Sequence, residues 1–141
     1  MSDVKIHIEQ AKHNKELALN LGKGDFRDWT IICAFYAALN FFEAGLLKKG
    51  NGDHTETLFD KLRQELGSQL REKSVHALRD RLADSNFPKL RGKLSQLRHM
   101  SEAVRYLEKT GNKCGNKFIT EGNAGQAISD LSDIEDEIKK A

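Results

Sequence analysis

Apolar residues recur every three to four positions in five stretches of the chain, which is the spacing of helices with one buried face. The stretches run from about Asp3 to Leu21, Asp28 to Lys49, Asp53 to Leu82, Lys89 to Lys109 and Ala124 to Lys140. Glycines stand at the predicted ends of the first two, and Pro88 disfavours helix at Phe87. The pattern predicts an all-α protein.

The second predicted helix is apolar around nearly its whole circumference between Trp29 and Leu47. Such a helix is either a membrane span or the central helix of a bundle. Asn40 and Glu43 interrupt the apolar run, and its unbroken part is shorter than the roughly 20 residues that a bilayer requires. We therefore expect no membrane segment. We predict a central helix that is shielded from water on every side by neighbouring helices or by a second subunit.

The length of 141 residues suits one domain with a real core, so residues 1–141 are predicted to form a single all-α domain of five or six helices. There are two cysteines, no CxxC pair and no apolar stretch near the N-terminus that resembles a signal peptide. These features predict a protein of the reducing cytoplasm.

Charge is unevenly distributed along the chain. Residues 60–118 hold 14 basic and 7 acidic groups, whereas residues 119–141 hold 2 basic and 6 acidic groups. Cations that could bind phosphates cluster on both sides of Pro88, namely Arg79, Arg81, Lys89, Arg91, Lys93 and Arg98. No aromatic residues are interleaved with them, so base-specific reading of RNA is not supported. The alternative interpretation is an ordinary solvated surface of two long helices.

Several polar groups could form a binding pocket around the second helix. The candidates are Tyr36, Glu43, His54, Arg98 and Tyr106. Glu43 and Asn40 lie on the apolar helix and must be hydrogen-bonded there, either to an arginine of the fourth predicted helix or in a small cavity. His54 could be a base or ligand beside Tyr36, or only a helix-start residue bonded to local backbone. The five histidines lack metal-ligand spacing, so we expect neither a metal nor a cofactor.

Four segments resemble the HEPN superfamily of small helical bundles. They are "AFYAALNFFEAGLLKKG" from Ala34 to Gly50, "GDHTETLFDKL" from Gly52 to Leu62, "LSQLRHMSEAVRY" from Leu94 to Tyr106, and "ITEGNAGQAISDLSDIEDEI" from Ile119 to Ile138. The resemblance implies an up-and-down bundle of four to five long helices that is often dimeric. Residues 64–88 have no counterpart in that family, so they would form a helical insertion. HEPN proteins are commonly RNA-cleaving toxins, partners of nucleotidyltransferase antitoxins, or accessory parts of antiviral systems.

Active members of that superfamily use an arginine and a histidine four to six residues apart and need no metal. The histidine would help activate the ribose 2′-hydroxyl, and the arginine would stabilise charge on the phosphate. At the matching positions this chain has Ser101 and Tyr106, so the resemblance implies that the usual site is lost. A pair with suitable spacing occurs elsewhere, at Arg71 and His76, which are the candidate catalytic residues.

Three functions remain open at this point. The first is a non-catalytic binding domain that acts through a protein or nucleic-acid partner, as a homodimer or with a nucleotidyltransferase-type protein. The second is a metal-independent ribonuclease that uses Arg71 and His76 on RNA. The third is a nucleotide or small-ligand binder with a pocket near Tyr36, Glu43 and His54.

Overall fold

The structure of the protein is a computed structural model that describes residues 4–50, 64, 75–106, 111 and 114–141, with the backbone alone for 75–78. These residues contain six α-helices and no strand: α1 Val4–Gly22, α2 Arg27–Lys48, α3 Val75–Asn86, α4 Arg91–Arg105, the single turn α5 Gly115–Phe118, and α6 Glu121–Lys139. A 3₁₀ turn, Pro88–Leu90, joins α3 to α4. The all-α prediction is confirmed.

Most helix boundaries follow the sequence signals. Both ends of α1 and of α2 lie within one residue of the predicted positions, and the helix that precedes Pro88 ends at Asn86. The last helix begins three residues earlier than predicted, at Glu121. Its start is a capping box in which Thr120 Oγ1 accepts from the Asn123 N–H at 3.0 Å and Asn123 Oδ1 accepts from the Thr120 N–H at 3.1 Å.

The predicted fourth helix is shorter than expected at its C-terminal end. It ends at Arg105 rather than at Lys109, because the backbone becomes extended at Tyr106, with φ −121° and ψ 98°. The third predicted helix, from Asp53, lies outside the described residues except for Gln64 and its C-terminal part in α3. The proposed insertion at 64–88 is likewise described only from residue 75 onward, apart from Gln64.

Helix α2 is the centre of the described bundle, and α1, α4 and α6 pack around it. Arg27 Nε donates to the Ile119 carbonyl near one end of α2, and Lys48 Nζ donates to the Ile138 carbonyl near the other, so α6 runs parallel to α2. Side chains of α2, α4 and α6 that are at most 2% exposed include Ile31, Phe35, Phe41, Phe42, Leu46, Leu97, Leu131, Ile134 and Ile138. Burying each such side chain contributes about 1.5–3 kcal/mol.

The described chain shields most of α2 but leaves one face open, so cover of that face by a second subunit stays a prediction. Trp29 is 57% exposed and Tyr36 is 41% exposed, whereas the opposite side of the helix is buried against α6. By length and composition α2 could cross a membrane, but 72% of its most apolar window is buried inside the bundle. That burial is the pattern of the core helix of a soluble protein.

Candidate functional site

The exposed side of α2 meets the end of α4 in a surface rich in aromatic groups. Trp29 and Tyr36 stand two turns apart on α2, with the partly buried Cys33 between them. The C-terminal end of α4 contributes Arg105 and Tyr106, and Tyr106 is 53% exposed. We call Trp29, Cys33, Tyr36, Arg105 and Tyr106 the aromatic face. Large exposed aromatic groups that lie together mark sites of interaction more often than scattered ones do.

Arg105 holds the aromatic face together. Its Nη1 donates to the Tyr36 hydroxyl at 3.1 Å, and its Nε donates to the Ser101 carbonyl at 3.2 Å. The guanidinium carbon lies 5.9 Å from the Tyr36 ring centre and 5.7 Å from the Tyr106 ring centre, within the range of cation–π attraction. No carboxylate in the described part of the chain forms an ion pair with Arg105.

The N-terminus of α2 is fixed by a residue that lies 89 positions away in sequence. Asn116 Oδ1 accepts from the N–H groups of Arg27 at 2.6 Å and Asp28 at 3.3 Å, which satisfies two donors that the helix leaves free. Asn116 Nδ2 donates to the Asp25 carbonyl at 3.0 Å. The Asp28 carboxylate adds a local bond, because its Oδ1 accepts from the Trp29 N–H at 2.9 Å. These bonds set the position from which Trp29 projects.

A glycine allows the same segment to approach α2 and α4 closely. A Cβ added to Gly115 would lie 3.3 Å from the Asp28 Cβ and 3.4 Å from the Val104 Cβ. Gly115 is buried, and its neighbour Asn116 reaches the helix start only because the backbone comes this near. The short helix α5 therefore braces the ends of α2 and α4 that carry the aromatic face.

The structure describes four of the five residues predicted to line one pocket, and these four do not come together in one place. Tyr36 and Tyr106 are both in contact with Arg105, whereas Glu43 lies two turns beyond Tyr36 and is 8% exposed. Glu43 Oε1 accepts from Arg79 Nε at 3.2 Å, so the expected arginine partner comes from α3 rather than from the fourth predicted helix. Arg98 donates to Asp80 at 3.1 Å.

Two other expectations about the polar groups near α2 have different outcomes. Asn40 is hydrogen-bonded as expected, to the Tyr36 carbonyl at 3.0 Å and to His7 Nδ1 at 3.3 Å. His54 lies outside the described residues, and so does Arg71. The backbone of His76 belongs to α3. The predicted Arg71–His76 pair stays a prediction, because Arg71 and the side chain of His76 lie outside the described part of the structure.

Four of the six cations of the predicted phosphate patch are paired with carboxylates of the same chain, and phosphate binding there stays a prediction. Arg79 pairs with Glu43, and Arg91 lies 3.4 Å from Asp80 and 3.3 Å from Asp84. Lys93 Nζ lies 3.0 Å from Asp133 and 3.6 Å from Asp130. Arg81 and Lys89 are exposed and have no carboxylate partner among the described residues. Folding thus brings acidic groups of α6 and α3 against the basic segment and neutralises most of it.

The contact between Lys93 and Asp133 also changes the pKa of the lysine. The hydrogen bond to Asp133, followed by the charges of Asp133 and Asp130, raises the pKa of Lys93 although burial acts in the opposite direction. The group stays cationic well above neutral pH while it remains paired. It is therefore not a candidate for general-base chemistry.

Ser101 and Tyr106, which the resemblance to HEPN proteins would align with a catalytic arginine and histidine, lie in different environments. Ser101 is fully buried, and its Oγ has no hydrogen-bond partner. Tyr106 lies beyond the end of α4 on extended backbone. A serine hydroxyl in the core can neither contact a substrate nor supply the positive charge that a reacting phosphate requires.

A cleft of about 480 Å³ lies between the starts of α2 and α6, and none of the five residues of the aromatic face lines it. Its lining includes Gly24, Asp25, Arg27, Thr30 and Glu121. Thr30 donates to the Phe26 carbonyl, and Arg27 donates to the Ile119 and Asn116 carbonyls and to Asp25. The side chains of Thr30 and Arg27 are therefore already hydrogen-bonded within the protein. The described residues also contain no cluster of three histidine, cysteine or acidic side chains that could hold a metal.

Comparisons of the chain with known protein families, with curated proteins and with solved structures find no match. Function must therefore be inferred from the site itself.

The sequence predicts Tyr36 and Tyr106 as site residues, but it does not predict Trp29, Arg105 or Asn116. A signal for the first two existed, since Trp29 shares a helical face with Tyr36 and Arg105 directly precedes Tyr106. Nothing local marks Asn116 as a distant cap.

Proposed function

We propose that this chain is a non-catalytic helical binding domain that acts through a protein partner held at the aromatic face. The observation that carries the proposal is the exposure of Trp29, Tyr36 and Tyr106 around an arginine that has no carboxylate partner among the described residues. Tryptophan, tyrosine and arginine are the residues that most often contribute the largest share of binding energy at protein interfaces. Aromatic residues are also enriched in the buried centres of such interfaces.

The charge distribution and the buried serine favour this function over RNA cleavage. Most of the candidate phosphate-binding cations are paired with acids of the same chain, so counterion release on RNA binding would be small. Ser101 stands buried where the superfamily uses its arginine. The resemblance to HEPN proteins, many of which act with a second protein, supports the same role. The two unpaired cysteines are consistent with a cytoplasmic location.

A two-part experiment tests the proposal. Total RNA is incubated with the protein at high concentration in EDTA, and we expect the RNA to remain intact. In parallel, tagged wild-type protein and a Trp29→Ala/Tyr36→Ala variant are used to capture proteins from a cell extract. We expect a partner that the wild type retains and the variant loses, whereas Leu19→Ala, which removes an exposed apolar group of α1, retains it.

Two results would count against the proposal. Cleavage of RNA in EDTA would assign an enzymatic function, and loss of that cleavage in Arg71→Ala and His76→Ala would locate it at the predicted pair. Equal capture of the same partner by the wild type and by the double variant would show that binding does not use the aromatic face. Circular dichroism of each variant confirms that the helices are intact.

A further inference from the structure

One side of α2 shows the spacing of a helix–helix interface. Trp29, Cys33, Tyr36, Asn40, Glu43 and Leu47 follow one another at alternating intervals of four and three residues. That repeat keeps one stripe of a helix in contact with a second helix, as in coiled coils. The stripe is open at its N-terminal end and covered at its C-terminal end, where Glu43 is buried and paired with Arg79.

The open part of this stripe has the length that a short helix can cover. Trp29 and Tyr36 are seven residues apart, which corresponds to about 10.5 Å along the axis of α2. Cys33 lies between them and has a much smaller side chain than either ring. Side chains of a facing helix that repeat every three to four residues pack between the larger side chains of such a stripe. The described residues contain no strand to which an extended segment could add.

The charge at the edge of the stripe specifies a second property of the partner. A guanidinium has five N–H donors, and Arg105 uses two of them, one on Tyr36 Oη and one on the Ser101 carbonyl. The remaining donors have no partner among the described residues. A carboxylate would meet both the charge and the donor geometry of this group.

We propose that the partner segment is an amphipathic α-helix of another protein, which lies along α2 and presents a carboxylate to Arg105. This inference rests on the proposed binding function. A second copy of this chain fits less well, because a two-fold interface would place the same surface on both sides. That surface offers aromatic rings and arginine, and two Arg105 groups would approach each other with no carboxylate from the face itself.

The face contains two probes that allow its occupancy to be measured. Trp29 is the single tryptophan of the chain, so its fluorescence reports directly on whether the face is covered. Cys33 lies beneath the expected helix, whereas Cys114 is exposed at the start of α5. A bound helix should slow alkylation of Cys33 and leave that of Cys114 unchanged.

The test is a selection from a displayed library of 20-residue random peptides against the wild-type protein. Peptides that bind Tyr36→Ala equally well are discarded. We expect the remaining peptides to share apolar residues at three- and four-residue spacing and an Asp or Glu at one position. They should become helical on binding, shift the Trp29 emission to the blue and protect Cys33.

The variants of Arg105 test the carboxylate. Arg105→Ala should weaken binding of a selected peptide at least tenfold, and the peptide with Lys in place of its shared acid should bind Arg105→Glu better than wild type. Arg105→Lys, which keeps the charge but not the fork of donors, should bind with intermediate affinity. Because Arg105 is exposed, none of these changes removes a core group.

Four outcomes would overturn the inference: an empty selection, proline-rich or extended peptides at the face, binding that is indifferent to Arg105, or a self-dimer in sedimentation that Tyr36→Ala dissociates. Extended peptides at the face would leave the binding function standing and reject the helix alone. Cleavage of RNA in EDTA would reject the binding function whatever the peptides show. The peptide selection therefore tests the helical partner, and the RNA assay tests the binding function separately.

Discussion

Gly45 provides the sharpest test of the packing around α2. It lies in the interior of the helix, where replacing glycine by alanine ordinarily stabilises by about 1 kcal/mol. In this structure a Cβ at Gly45 would lie 2.9 Å from Phe87 Cζ and 3.0 Å from Phe87 Cε2, and nearer still to Ile138 Cδ1. Both neighbours are buried, at 4% and 0% exposure, so neither can move into solvent.

The expected magnitude follows from these two opposing effects. Forcing an extra carbon into a tightly packed core costs about 1–3 kcal/mol, and the absence of free space here favours the upper end. After subtraction of the gain in helix propensity, Gly45→Ala should destabilise by about 2 kcal/mol. For a protein of this size that corresponds to a fall in Tm of roughly 6–8 °C. Urea unfolding followed by circular dichroism measures the free energy directly.

Gly125 is a matched control, because it lies in α6 and a Cβ there would meet nothing within 4 Å. Gly125→Ala should therefore stabilise, by up to about 1 kcal/mol. Ile138→Val removes the atom nearest to the added carbon, so it should cost less in the Gly45→Ala background than alone. A Gly45→Ala protein as stable as the wild type, or additive effects with Ile138→Val, would refute the close packing of α2 against α6 and Phe87.

Three further predictions concern groups that hold the bundle together. Asn116→Ala should lower the free energy of unfolding by about 1–2 kcal/mol in urea titrations, because α2 loses its cap, and an unchanged midpoint would contradict that role. Arg79→Ala should cost about 2 kcal/mol, since it removes an ion-pair partner of the buried Glu43 carboxylate; Glu43→Gln/Arg79→Ala should recover part of the loss. Burial raises the pKa of Cys33, and pairing raises that of Lys93. The unfolded chain loses the Cys33 thiol proton above about pH 8.5 and the Lys93 amine proton above about pH 10.4, whereas the folded protein still holds both just above these values. Stability should fall with rising pH in these windows, and Cys33→Ala should remove the earlier decline from the urea midpoints.

The fold could be predicted largely because its signals are local. Glycines past the ends of α1 and α2 and the proline after α3 act on the backbone where they stand. The apolar stripe of α6 likewise identifies the side that packs on α2. Its start was placed too late because the capping box at Thr120 uses Asn123, whereas the usual signature has Glu or Gln at that position.

The candidate site was harder to predict because its features depend on distant pairings. The basic segment predicts a phosphate patch when it is considered alone. In the structure Asp133, which is 40 positions away in sequence, lies against Lys93. Trp29 and Tyr36 have the same spacing as the buried residues of α2, so the hydrophobic pattern assigned them to the core. The pattern shows which residues are apolar, but the number of neighbouring helices decides which side of a central helix stays open.

The buried serine of α4 gives a last prediction, on whether an arginine and a histidine introduced at positions 101 and 106 could act on RNA. Ser101 has no exposed surface and its Oγ has no partner, so an arginine there would bring an unpaired charge into the core beneath α2. We expect Ser101→Arg/Tyr106→His to lose at least about 3 kcal/mol of stability or to fail to fold, and to leave RNA intact. Ser101→Ala is the matched control. It removes a buried hydroxyl without a partner, so it should be neutral or slightly stabilising in urea unfolding. A folded double variant that cleaves RNA in EDTA would show that residue 101 can reach a substrate, and the argument against catalysis from this position would fail.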